Sequence, residues 1–276
     1  MLHTVYEQAV SVLAIDWSGA LHGADRRIWL AEARAPGQLV RLEAGRDRLA
    51  MQDHLLDQRG AVAIGLDFAF SFPAWFLESL AICDAPHLWR HAAENGEAWL
   101  ARCESPFWGR PARPRLSIQG AAFRRTELGV PRTAGIAPKS VFQVGGAGAV
   151  GTGSLRGMRL LHALHQAGAR IWPYAARGAP NVVEIYPRLL TGAVNKSSPA
   201  ARAALLAERY PALAHDHWRA ACASEDAFDA AVSALVMIEH VDDLATLPGE
   251  DDPLLRLEGR IWHPAWRLDL DIIETA

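Results

Sequence analysis

The chain has 276 residues, of which 50% are hydrophobic and 21% are charged, and its formal net charge is −3. This length can bury a substantial core in one large domain or two small ones, and the composition argues against disorder over most of the chain. The slightly acidic balance argues against a surface devoted to non-specific nucleic-acid binding, although it allows a local basic strip.

The three cysteines, Cys83, Cys103 and Cys222, have no CxxC spacing. This pattern argues against a disulfide framework or a zinc site of thiolates and favours a reducing compartment. No apolar run reaches the ~18 residues that a membrane span needs, and the first residues do not have the pattern of a signal peptide. We therefore expect a cytoplasmic protein with no membrane partner.

The first predicted elements are three strands. Residues 11–15 form a short apolar run with β-branched residues that ends at Asp16, as expected of a buried strand that runs into a turn. Residues 27–33 and 38–43 are further strand candidates, separated by a Pro-Gly turn. The sequence predicts a meander of three antiparallel strands.

A helix and a fourth strand follow. Residues 46–58 have apolar positions at helical spacing among charges, which predicts an amphipathic helix closed by Gly60. Residues 61–66 are nearly all apolar, which is typical of a strand buried on both faces, and this strand ends at Asp67. A strand that arrives after a helix is expected to be parallel to an earlier one.

Residues 72–140 differ from their surroundings, with helical stretches at 74–83 and 87–102 and a Pro/Arg-rich stretch at 106–114. We interpret them as a helical insertion within a single domain of residues 1–276. Its basic residues form either a nucleic-acid contact or a solvated surface. They are Arg110, Arg113, Arg115, Arg124, Arg125, Arg132 and Lys139.

The remaining chain alternates between strand and helix patterns. One strand is predicted to begin with residues 141–144, and two further strands are predicted to cover residues 170–174 and 181–185. Helices are predicted over residues 155–167, 199–208 and 225–240, the last with Ser224 as its N-cap. A strand pair around residues 257–263 is predicted to turn at Glu258 and Gly259.

Three carboxylates stand at or near the ends of buried apolar strands, namely Asp16, Asp67 and Glu184. In open α/β sheets, ligands collect beyond the carboxyl ends of the parallel strands. Acids that converge there repel one another unless a cation lies between them.

The predicted helix 225–240 adds Asp226 and Asp229, which are three residues apart and share one helical face. Small residues at Ala230, Ala231 and Ala234 allow this helix to lie close to the sheet. Hard oxygen ligands without thiolates or paired histidines suit Mg²⁺ or Mn²⁺. Two such ions can support phosphodiester hydrolysis.

A glycine-rich segment at residues 145–153 contains a GxGxxG match. A dinucleotide site also needs an acid that closes the next strand, and residues 172–176 contain none. We therefore favour a glycine-rich turn that holds a phosphate together with Lys139, Ser154 and Arg156, or one that simply packs tightly.

Five segments together resemble the DUF429 family: residues 15–19, 65–73, 138–146, 183–188 and 225–231. The resemblance spans about residues 11 to 240. The family is usually described as predicted nucleases of the ribonuclease-H-like superfamily. The resemblance implies an α/β fold with a ribonuclease-H-like mixed sheet, in which three antiparallel strands precede parallel strands and helices flank the sheet.

The resemblance also implies that Asp16 lies beside Asp67, that Asp229 or Asp226 approaches from the last helix, and that Glu184 completes the metal set. We therefore expect a nuclease with a two-metal carboxylate mechanism, in which Asp16, Asp67, Glu184 and Asp229 are catalytic and Asp226 is a further ligand of Mg²⁺ or Mn²⁺. The substrate would be DNA or RNA. The alternatives are a phosphotransferase of the sugar kinase and actin-like type, and a non-catalytic nucleic-acid-binding module.

Overall fold

A computed structural model describes residues 10–58, 60–111, 113–115 and 120–269. Within these residues, seven strands form one sheet. They are β1 (Ser11–Asp16), β2 (Trp29–Arg34), β3 (Gln38–Glu43), β4 (Ala63–Leu66), β5 (Arg170–Ile171), β6 (Asn181–Ile185) and β7 (Ile261–Trp262).

The strand order is β3-β2-β1-β4-β6-β5, and β7 also pairs with β6. Strand β2 is antiparallel to both β1 and β3. The other five strands, β1, β4, β6, β5 and β7, run parallel to one another. Strand β5 pairs with the first residues of β6 and β7 with its last residues, so both occupy the same edge. The predicted mixed sheet, with three antiparallel strands followed by parallel ones, is confirmed.

Helices lie on both sides of this sheet. They are α1 (Arg48–Leu56), α2 (Ala74–Ser79), α3 (Ala85–Arg102), α4 (Arg125–Gly129), α5 (Val150–Gln166), α6 (Pro187–Thr191), α7 (Pro199–Arg209), α8 (His215–Ala223), α9 (Glu225–Glu239), α10 (Val241–Ala245) and α11 (Pro253–Glu258). The predicted N-cap of α9 is confirmed, since the Ser224 hydroxyl accepts a hydrogen bond from the Ala227 N–H. None of the helices in the described ranges is both long and apolar enough to span a membrane.

Side chains alternate along each strand and therefore build two separate cores. Leu13, Ile15 and Leu66 point to the face covered by α3 and α5, which we call the α5 face. Val12 and Ala14 point to the opposite face, which α9 covers and which we call the α9 face. This alternation decides which of the strand-end acids can meet.

Segment 72–140 extends the core on the α5 face. Helix α3 packs along α5, and an aromatic cluster joins the segment to the sheet. Rings of Phe72, Phe76 and Phe107 lie with centroids 5.1–5.8 Å apart. The segment therefore shares its hydrophobic core with β1 and β4.

Two local predictions are wrong. Residues 141–144 form a turn, in which the Gln143 N–H donates to the Ser140 carbonyl, and only a single bridge joins Gln143 to Trp108. The tail forms α11 followed by β7, because the Asp252 carboxylate caps the helix start and Pro253 occupies its first position. Strand β7 then pairs with β6 in parallel.

Gly65 in β4 permits the close approach of α9. A Cβ atom at this position would lie 2.6 Å from the Met237 sulfur of α9 and 3.1 Å from the Ile185 side chain. Since real Cβ atoms essentially never come within 3.0 Å of another heavy atom, a side chain at this position would have to displace the Met237 side chain. The absence of a side chain at Gly65 thus leaves room for Met237 in the last turn of α9.

We expect Gly65→Ala to lower the free energy of unfolding by about 1–3 kcal/mol because it overpacks the contact with α9. Gly249→Ala is the matched control, since a Cβ there would meet no atom within 4 Å. Urea unfolding measures both changes. Equal stability of the two variants would contradict the close approach of α9.

Candidate functional site

Asp16 and Asp67 lie side by side at the carboxyl ends of two parallel strands. Ile15 is paired with Leu66, and the Asp67 N–H donates to the Ile15 carbonyl at 3.1 Å. Asp16 comes two residues after Ala14, and Asp67 two residues after Gly65. Since residues two apart in a strand point to the same face, both carboxylates belong to the α9 face.

Helix α9 brings Asp226 and Asp229 to the same place. Both residues lie in its first two turns, and Asp229 is only 7% exposed. Repulsion from Asp67, Asp229 and Asp226 contributes to raising the pKa of Asp16. The two strand ends and the start of α9 therefore form one acidic group of four aspartates, which we call the aspartate group.

Loss of hydration is the largest cause of the raised pKa values in the aspartate group. Asp16 and Asp67 keep some exposed surface, but the packed atoms around them remove most of the water that would stabilise their charges. Burial, followed by repulsion from Asp229, raises the pKa of Asp67 to about 8. The pKa of Asp16 is raised well above its usual value, and those of Asp226 and Asp229 are also raised.

Asp229 has one paired and one unpaired carboxylate oxygen. Its Oδ2 atom forms an ion pair with the Lys196 ammonium group. Its Oδ1 atom is buried and has no hydrogen-bond partner in the structure. A buried carboxylate oxygen without a partner is costly, so its site calls for a cation or a donor.

Sequence reasoning did not identify Lys196, which lies between α6 and α7. Its positive charge opposes the raised pKa values of Asp16, Asp67 and Asp229. In the part of the chain that the structure describes, no three His, Cys, Asp or Glu side chains are close enough to hold a metal ion as they stand. The structure thus shows four aspartates with one ammonium group bound to Asp229.

Glu184 belongs to the opposite face of the sheet. Val182 lies on the α5 face and Val183 on the α9 face. Since side chains alternate along a strand, Glu184 lies on the α5 face with Val182 and points away from the aspartate group. Its Oε2 atom accepts hydrogen bonds from Arg124 at 2.8 Å and from the Phe70 N–H at 2.9 Å. The structure therefore brings Asp16, Asp67, Asp226 and Asp229 together on the α9 face. Glu184 is held by other partners, but it lines the same cavity as Asp67 and contributes to raising the pKa of Asp67.

Arg124 and Glu184 form the centre of a buried ion network. The Arg124 guanidinium also pairs with Glu127 at 3.0 Å and donates to the Glu258 carbonyl at 3.0 Å. Arg124 has no exposed surface, and burial raises the pKa of Glu127 to about 6. Since each charge has a partner, this network ties the insertion to β6 and to the last residue of α11.

A cavity of about 260 Å³ lies next to Asp67. Lys139 and the start of α5 at Ala149 and Val150 line one side, and Trp17 lines another. The start of a helix favours negative charge, and Lys139 adds a positive one. The cavity therefore combines an anion-binding side with the carboxylate of Asp67.

The other two predicted phosphate ligands have partners within the protein. The Ser154 hydroxyl accepts from the Ala69 N–H at 3.0 Å and donates to the Val150 carbonyl at 3.1 Å. The Arg156 guanidinium pairs with Glu97 at 2.6 and 2.8 Å and also donates to the Gly19 carbonyl. Of the three predicted residues, Lys139 is the one that lines this cavity.

The sheet order and the aspartate group at the carboxyl ends of β1 and β4 define the class of the protein. Antiparallel strands followed by parallel ones, with helices on both faces, make a ribonuclease-H-like α/β fold.

A family model described as "Protein of unknown function (DUF429)" matches residues 23–253, and the chain belongs to this family. The resemblance predicted from the sequence is confirmed. The match includes Asp67, Lys196, Asp226 and Asp229, and it begins after Asp16. Searches of curated proteins and of solved structures find no match to the chain.

We expect Arg124→Met to lower the free energy of unfolding by about 3–5 kcal/mol, because it leaves Glu184 and Glu127 buried without a cation. Adding Glu184→Gln should restore part of this loss. Arg34→Met is the control: Arg34 pairs with Glu32 but is largely exposed, so its loss should cost less than about 1 kcal/mol. Urea unfolding measures the set, and similar losses for the two arginines would contradict a buried network.

We expect the metal-free protein to lose stability as the pH rises from about 4 to about 8. The unfolded chain releases the Asp67 proton near pH 4, whereas the folded protein retains it to about 8. Between these values the unfolded state binds fewer protons, so a rising pH favours unfolding. Asp16, Asp226 and Asp229 act in the same direction.

Urea unfolding in the presence of a chelator, at about pH 5 and pH 8, tests this expectation. Asp67→Asn should reduce the loss of stability, whereas Asp53→Asn on the exposed side of α1 should retain it. If all three proteins showed the same dependence on pH, Asp67 would not be the group that titrates.

Proposed function

We propose that the protein is a nuclease that depends on a divalent metal ion of the Mg²⁺ or Mn²⁺ type. The observation that carries this proposal is the unpartnered, buried Asp229 Oδ1 atom within a group of four aspartates. Three of these aspartates come from positions far apart in the chain, and their mutual repulsion is best relieved by a bound cation.

The chemistry of these residues fits a hard divalent cation. Asp16, Asp67, Asp229 and Asp226 all offer carboxylate oxygens and would hold the ion once their side chains move closer together. When bound, such an ion supplies positive charge that polarises a phosphodiester and stabilises its leaving oxygen. Asp67 would give up its proton on binding, since its raised pKa keeps it protonated near neutral pH.

The chain's own residues would orient the substrate. Lys139 and the start of α5 provide positive charge for a phosphate in the cavity beside Asp67. Trp17 and Tyr186 line the same cavity, where an aromatic ring would suit a base next to the phosphate. The Arg124–Glu184 pair, fully engaged, would hold the wall of the cavity in place.

Part of the predicted basic strip remains available for a nucleic acid. Arg124 is buried in its ion network, and Arg125 pairs with Asp252 at 2.6 Å, so neither contributes. Arg113 and Arg115 are exposed, and the Arg115 guanidinium lies 5.0 Å from the centre of the Trp108 ring. Exposed arginines beside an aromatic ring support contact with a nucleic-acid strand.

The phosphotransferase alternative requires a phosphate chain to lie between two loops, at residues 16–19 and 145–153. These loops are in direct contact. A Cβ atom on Gly19 would lie 2.4 Å from the Gly153 nitrogen, and the Trp17 ring nitrogen donates to the Gly153 carbonyl at 3.1 Å. Residues of both loops also line the cavity beside Asp67. The observation that supports the nuclease over this alternative is the unpartnered Asp229 Oδ1 atom in the aspartate group.

We expect Asp16→Asn to retain the fold and to lower Mn²⁺-dependent cleavage by at least about a hundredfold, because the metal site loses a charged ligand. A panel of labelled single- and double-stranded DNA and RNA measures cleavage, and circular dichroism checks the fold. Asp53→Asn is the matched control, with the same chemical change on an exposed helix. Undiminished cleavage by Asp16→Asn would contradict the proposed site.

A further inference from the structure

We propose that Lys196 supplies the second positive charge of the aspartate group, so that the site binds one divalent ion per chain and not two. The inference rests on the proposed function, because it concerns the metal of that same site. It concerns how many ions the site takes and identifies Lys196 as a positioning residue that acts through Asp229.

The loop that carries Lys196 is held in place from both sides. Before it, Arg188 donates hydrogen bonds to the Gly192 carbonyl at 3.2 Å and the Val194 carbonyl at 2.7 Å. After it, Arg202, which is 2% exposed, donates to the Lys196 carbonyl. Contacts of these two arginines to backbone carbonyls fix the course of the loop, so Lys196 is not a freely moving surface lysine.

Arg202 also joins this loop to the helices beside it. Its guanidinium donates to the Cys222 carbonyl at the end of α8, directly before α9 begins. The same side chain therefore anchors Lys196 and the chain that leads into Asp229. This shared contact holds the Lys196 ammonium group next to the Asp229 carboxylate.

The charges of the site leave little need for a second divalent ion. Four aspartates face one ammonium group, and one divalent ion would leave a single negative charge among these five side chains. Arg27 lies within electrostatic reach of Asp226, and Arg188 within reach of Asp229. A second divalent ion would leave the group with excess positive charge.

The choice of lysine at this position is specific. Of the 28 lysine and arginine residues in the chain, 26 are arginine, and the two lysines are Lys139 and Lys196. Lys139 lines the cavity beside Asp67, and Lys196 pairs with Asp229. An ammonium group is a compact point charge that can take the place of an ion, whereas a guanidinium is a wide planar fork.

Counting bound Mn²⁺ in the full-length protein tests this proposal. Equilibrium dialysis with metal analysis, supported by electron paramagnetic resonance of free Mn²⁺, gives the number of ions per chain. We expect one ion for the wild type and two for Lys196→Met, with the added ion binding at least tenfold more tightly than any second ion in the wild type. Lys139→Met removes the other lysine and should retain one.

The wild-type count tests the proposal even if Lys196→Met fails to fold, and Lys196→Gln provides a second, polar variant. Two ions in the wild type, or one ion in both the wild type and the folded variant, would overturn the role of Lys196 and leave the proposed nuclease standing. No bound ion in any of these proteins would contradict the proposed function, and the role of Lys196 with it.

Discussion

Repulsion between carboxylates that the fold forces together is the constraint on which the site depends. The parallel pairing of β1 with β4 places Asp16 beside Asp67, and α9, which packs across β1 and β2, brings Asp229 towards them. These charges lie where water is largely excluded, so the protein must hold protons, recruit Lys196 or bind a cation. The structure shows the Lys196 ion pair, and the raised pKa of Asp67 favours retention of a proton.

The sheet separates two groups of charges with different roles. On the α5 face, Arg124, Glu127 and Glu184 satisfy one another and support the packing of the insertion. On the α9 face, the aspartate group has too little positive charge and an oxygen atom without a partner. The first arrangement is complete without a ligand, whereas the second is not, and this difference is why we propose the metal site on the α9 face.

Much of the fold could be predicted from the sequence, because buried strands that end in acids and helices with apolar faces leave strong local patterns. Alternation along 181–185 could also have shown that Glu184 points away from Asp67, since neighbouring residues of a strand face opposite sides. The partners of Glu184 and Asp229 could not have been predicted, because Arg124 and Lys196 lie far from them in the chain. For Lys196, the one available signal was the rarity of lysine in a chain rich in arginine.

A crystal structure of the protein with Mn²⁺, solved with anomalous scattering from the metal, tests the central claim most directly. We expect an anomalous peak in contact with both Asp16 and Asp67 on the α9 face. An occupied metal position elsewhere, with these two carboxylates bound only to water or to protein groups, would contradict it.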